Sequence, residues 1–218
     1  VYLQSAALPL VPGAVLKRLQ EETGAAYVAP IAFGDRYRSY PVIGSTATFV
    51  TQDGIRNPTE GRVFAAEHEA VVGADVSLPV GARFSPSHGL AVRQVEAEKE
   101  PGSHDHHDTE YVVVGRMPRL GTPWDRAIVV PVEAVWEVHG LPSGHADGEE
   151  RIGAPWKGPE VPRVPAIVVK PKTVADAYRL RGKYRTESTT ALFPAEVLVE
   201  LYDLLGDARD LLAAFSVA

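Results

Sequence analysis

The densest set of possible ligands in the chain is one short stretch, Ser103-His104-Asp105-His106-His107-Asp108. Neutral imidazole nitrogens and carboxylate oxygens suit Zn²⁺, Ni²⁺ or Cu²⁺. On an extended backbone His104 and His106, two residues apart, point the same way. His104, His106, His107 and Asp108 are therefore the candidate metal ligands, with weak zinc binding as the expected chemistry. The stretch follows a charged turn at 96–102 and precedes a strand at Tyr111, the position of a hairpin tip. A polar loop with only fortuitous metal affinity is the competing reading. His88, His139 and His145 can join the set only if folding brings their loops together.

Other chemistry-bearing residues lack the company that catalysis needs. His68 has Val72, not His, four residues on, so the metalloprotease helix pattern is broken. His139 ends a predicted helix, where a cationic imidazole suits the negative end of the helix dipole. Ser45 and Ser143 lack the Gly-x-Ser-x-Gly frame of a nucleophile elbow. Gly182-Lys183 is preceded by Ala177 and followed by Tyr184 where a phosphate loop requires Gly and Ser or Thr. Glu149 and Glu150 sit in a Pro-rich segment with nothing to raise a carboxyl pKa. No catalytic residue and no cofactor-binding residue is expected, and the chain reads as a non-enzyme. Trp136, at helical spacing from Val132 and Val135, reads as core. Trp124, after Gly121-Thr122-Pro123, and Trp156, in the Pro-rich segment, read as exposed aromatics that can anchor a partner.

A chain of 218 residues with 45% hydrophobic and 23% charged residues is ordinary globular composition, long enough to bury about 70% of its unfolded surface. The net charge of −6, with no Lys/Arg run longer than two, argues against nucleic-acid binding. Without cysteine there are no disulfides and no thiolate sites. No apolar run approaches the roughly 18 residues needed to span a bilayer. The absence of an initial Met and of a signal-peptide pattern leads us to expect an excised or mature piece. The closing LLAAFSVA leads us to expect either the first turns of a membrane helix or a helix docked on the core.

These side chains must be carried by a mixed set of elements. Residues 12–23, opened by Pro12 and stopped by Gly24, predict a helix. Residues 25–30, 32–37 and 40–50 predict strands, with breaks at Gly34-Asp35 and Gly44. Three β-branched runs follow, Ala70-Val71-Val72, Tyr111-Val112-Val113-Val114 and Ala127-Ile128-Val129-Val130, each closed by Gly or Pro. A small helix is expected after Gly73 and a longer one over 132–139. Residues 141–165, with five prolines, predict a linker or surface excursion. Beyond it come a strand at 166–170, a helix at 173–184 capped by Thr173 with Asp176, a short strand at 189–193, and a helical apolar stripe from Pro194 interrupted at Gly206.

In that order, strand-Gly, the Val80-Gly81-x-x-Phe84 hairpin, a strand ending Val114-Gly115, then Asp125-Arg126-x-Ile128-x-x-Pro131 into a helix, the sequence resembles the extracytoplasmic core domain of MacB/FtsX-like ABC transporter permeases. The resemblance implies an α+β fold: a discontinuous α/β porter-like subdomain with an inserted small β-rich, Sabre-like subdomain. It places the porter-like halves at residues 1–61 and 151–218, the second ending in a stalk helix, and the insert at 62–150. It makes Asp125-Arg126 a structural turn. It also implies a periplasmic domain of an inner-membrane protein that couples ATP-driven movement of membrane helices to a client. The partners implied are a cytoplasmic ABC ATPase, a second permease copy, and a periplasmic client or adaptor protein. Two other readings stand beside it. One is a free periplasmic metal-binding protein using the His-rich loop. The other is a secreted hydrolase joining His88, His139 and Asp125.

Overall fold

The computed structural model describes residues 10–88 and 109–216. Compactness divides the chain into two units, Val1–Lys170 and Pro171–Ala218.

The first unit is built on one mixed sheet. Its strands are β1 (Ala25–Tyr37), β2 (Tyr40–Ser45), β3 (Glu60–Gly61), β4 (Glu69–Val72), β5 (Arg83–Phe84), β6 (Ser87–His88), β7 (Tyr111–Arg116), β8 (Ile128–Pro131) and β9 (Ala166–Pro171). The spatial order is β3-β7-β4-β8-β2-β1-β6, with β5 on β7 and β9 on β1. β4 runs parallel to β7 and β2 parallel to β8, while β4 and β8 are antiparallel. All four residues of β8 are buried, as a central strand covered on both faces requires. The three β-branched runs thus form adjacent central strands. Strands from both sides of residue 61 share this sheet, and the sequence boundaries at 61 and 150 both fall inside the first compact unit.

Several local expectations change for physical reasons. The break at Gly34-Asp35 is a β-bulge inside a continuous strand, where the register to β2 shifts between Phe33 and Asp35. The strand expected to Val50 stops at Ser45. There Thr46 turns the chain into α2 (Ala47–Thr51) by accepting the Phe49 N–H on its hydroxyl at 3.1 Å. Gly73 is not followed by a helix. Its N–H donates to the Ala127 carbonyl, and the Asp75 N–H to the Asp125 carbonyl, so the chain is tied to a neighbour instead of coiling.

α1 (Gly13–Gln20) packs on β1, and α3 (Val132–Val138) on β1, β2 and β8. Six of the seven residues of α3 are buried, which makes it a core helix and not an amphipathic surface one. Residues 141–165 are not a linker. Trp156 and Val164 are almost wholly buried, and Val164 exchanges backbone hydrogen bonds with Val11 at 2.8 and 3.1 Å.

The second unit holds α4 (Val174–Tyr184) and α5 (Pro194–Ser216). Thr173 caps α4 as its spacing to Asp176 predicts. Its hydroxyl accepts the Asp176 N–H at 3.1 Å and donates to the Asp176 carboxylate at 2.7 Å. The link at 189–193 joins no strand, and α5 continues through Gly206 without a break.

Candidate functional site

The most concentrated polar chemistry in the described residues lies under α3. Glu133 stands in its first turn, where a carboxylate suits the helix dipole, yet the side chain is only 2% exposed. A carboxylate taken out of water costs several kcal/mol unless partners replace the solvent. One oxygen is richly supplied. Glu133 Oε1 accepts the Trp156 indole N–H at 2.6 Å and the Gly153 backbone N–H at 2.8 Å, and meets His145 Nε2 at 3.2 Å. The other, Oε2, has no hydrogen-bond partner among the described residues, and neither has the buried Ser45 hydroxyl.

The same carboxyl fastens the 141–165 segment to the body. Trp156 packs edge-on against Trp136 with ring centres 6.1 Å apart, and His145 stacks on Trp156 at 6.4 Å. The Trp156 backbone N–H donates to Gln20 on α1 at 2.9 Å, and Lys17 of α1 donates to the Gly158 carbonyl at 2.8 Å. Gly158 is required there, since a Cβ would run into the backbone of Gly144 and His145. Trp156 is therefore not an exposed partner anchor. Its indole N–H found an interior acceptor, and the ring followed it inward.

A second lock surrounds Asp125. Its carboxylate accepts the backbone N–H groups of Leu120 and Gly121, each at 2.7 Å, and of Thr122 at 3.3 Å. These donors, Leu120 first, hold its pKa below the ordinary carboxyl range. The residue closes a turn. Trp124 beside it is half-buried and meets Phe49 of α2 edge-on at 5.0 Å. Arg116 completes the lock: its guanidinium donates to the carbonyls of Gly73, Val76 and Leu78 at 3.2, 2.9 and 2.6 Å.

The candidate metal ligands His104, His106, His107 and Asp108 lie outside the described residues. Among the described residues no three His, Asp or Glu side chains converge as a metal would require. His145 is held by Glu133 and Trp156, and His68 faces Glu137 at 3.8 Å. Sequence reasoning missed Glu133 and Arg116. The available signal for Glu133 was a single charge inside the apolar run Val132-Glu133-Ala134-Val135-Trp136, three residues before a core Trp.

In the second unit, Arg181 pairs with Glu196 at 2.8 Å and lies over the Phe193 ring, which Tyr178 meets edge-on at 5.2 Å. α5 exposes Leu198, Val199, Leu201, Tyr202, Leu204 and Leu205. No helix among the described residues is long and apolar enough to cross a membrane.

No protein-family model matches the sequence, and no curated protein matches it. Solved structures do. The periplasmic region of MacB from Actinobacillus actinomycetemcomitans superposes with a TM-score of 0.53 at 10% identity, covering 92% of this chain and 86% of that one. The chain has the fold of the MacB periplasmic region. Two further structures superpose more loosely. The extracellular domain of the noncanonic ABC-type transporter YknZ from Gram-positive bacteria gives 0.46 at 11% identity, over 84% of this chain and 90% of that one. A domain of a protein described as a permease from Porphyromonas gingivalis gives 0.42 at 12% identity, over 81% and 69%. The α+β class that the resemblance implies is the class observed.

Proposed function

We propose that the chain is the extracytoplasmic domain of an ABC transporter permease, coupling ATP-driven movement of membrane helices to a periplasmic client or partner protein. The observation that carries this is the superposition on the MacB periplasmic region over nine-tenths of the chain. The interior supports it. A lever has to resist deformation; Glu133 ties the 141–165 segment to α3, and Asp125 closes the turn at 120–125. α5 supports it as a stalk, because its exposed apolar side chains suit a helix whose surroundings are not only water. The partners in this reading are a cytoplasmic ABC ATPase, a second permease copy and a periplasmic client or adaptor.

Fractionation of source cells, probed with an antibody to this chain, tests the proposal. The expected band runs well above 23.5 kDa, stays with the inner membrane and is released only by detergent. A soluble periplasmic band near 23.5 kDa would overturn it.

A further inference from the structure

Beside the buried carboxyl of Glu133 lies a cavity of 460 Å³, within the range of about 300–1,000 Å³ that small-molecule sites occupy. It opens between the start of β1, the β2–α2 junction and the segment at 152–155. Its lining mixes two kinds of surface. Phe64, Ile152 and Pro155 offer apolar wall, while Glu133, Ser45 and Asp53 offer oxygen. Two acidic residues line it and no Lys or Arg does.

Two of those oxygens are unusual. Glu133 Oε2 and Ser45 Oγ are both buried, and neither has a partner among the described residues. Native interiors seldom leave such atoms unmatched, because each costs about 1–3 kcal/mol and a charged one more. The three contacts of Glu133 all fall on Oε1, so the unmet capacity of the carboxyl lies wholly on its second oxygen. Asp53 adds a second acid at an exposed position, held in the left-handed backbone region with φ of 62°. An apolar wall with surplus acceptors and no cationic side chain selects for donors, and above all for a positively charged one.

We propose that this cavity binds a small organic cation, an amine carried on an apolar body. The ammonium donates toward Glu133 Oε2 and Ser45 Oγ, and the apolar body rests against Phe64, Ile152 and Pro155. Both oxygens are closed to solvent in the structure, so the ammonium reaches them by turning side chains in the cavity floor. This inference rests on the cavity alone and holds whether or not the chain belongs to a permease.

The test is a titration of the ¹⁵N-labelled protein with phenethylamine, with phenethyl alcohol and 3-phenylpropionate as neutral and anionic counterparts. The amine is expected to shift the amides of Ala47, Thr48 and Gly153 saturably, at least tenfold more tightly than the alcohol, with no response to the anion. Glu133→Gln should bring the amine down to the affinity of the alcohol. Ala26 lines the cavity from an exposed strand position, and Ala26→Trp should fill the space and abolish all shifts at the cavity. Equal binding of amine and alcohol, shifts located elsewhere, or unchanged binding in Ala26→Trp would each overturn the proposal. If Glu133→Gln fails to fold, the ligand series and Ala26→Trp still decide.

Discussion

Glu133 gathers three contacts from the 141–165 segment on one oxygen, so its removal should act on that segment as a whole. Glu133→Ala leaves the Trp156 indole N–H and the Gly153 N–H buried without an acceptor, and should cost about 3–5 kcal/mol in urea unfolding. Trp156→Phe keeps most of the ring packing and loses one donor, and should cost about 1–3 kcal/mol. The double variant should be less destabilised than the sum, since both changes break one bond. Glu69 makes a different kind of prediction. Its bonds to the Arg62 guanidinium, followed by the backbone N–H groups of Ala65 and Ala66, pull its pKa from 4.5 down to about 2. The folded-state value lies below the ordinary one. Glu69 therefore adds stability that is complete above pH 4.5 and is lost as pH falls toward about 2. Glu69→Gln should lower stability near neutrality and flatten the acid side of the stability–pH curve across that window. For His104, His106 and His107 we propose weak zinc capture. Calorimetric titration with Zn²⁺ should show micromolar uptake that vanishes when all three are replaced by Ala, and no heat with the unaltered protein would remove the site.

At the scale of elements, turns and caps decide where strands and helices stop. Thr46→Ala removes the hydroxyl that accepts the Phe49 N–H and should cost about 1 kcal/mol, read as faster amide exchange confined to α2. Arg116→Met strips four carbonyl contacts from residues 73–78, and should raise exchange there while β7 itself stays protected. What the sequence made legible follows the same division. Strong local patterns survived into the fold: the three β-branched runs, the Pro131 entry to α3 and the Thr173 cap of α4. What misled was composition read without tertiary partners. Five prolines made 141–165 look like a linker or a surface excursion, and composition alone does not report the burial that Trp156 and His145 supply. The run from Tyr40 to Val50, with its break at Gly44, reads as strand because Thr, Phe and Val favour strands. A single capping hydroxyl overrides that preference at Thr46. The pairing of Glu133 with His145 and Trp156 joins residues 12 and 23 positions apart, and no local period encodes it.

For the whole molecule, the division after Lys170 separates a unit with its own sheet and core from a helical pair. The 1–170 fragment should therefore unfold cooperatively, with the Trp156 emission shift coincident with loss of far-ultraviolet dichroism, and separated transitions would count against a self-sufficient unit. The central proposal is that the chain is part of an ABC permease. That reading is tested most directly by solubilising source membranes in detergent, capturing the protein with an antibody to this chain, and assaying ATP hydrolysis in the eluate. The account predicts a stoichiometric ATP-hydrolysing partner and activity well above a mock capture. The protein eluting without such a partner, with hydrolysis no higher than the mock, would contradict it.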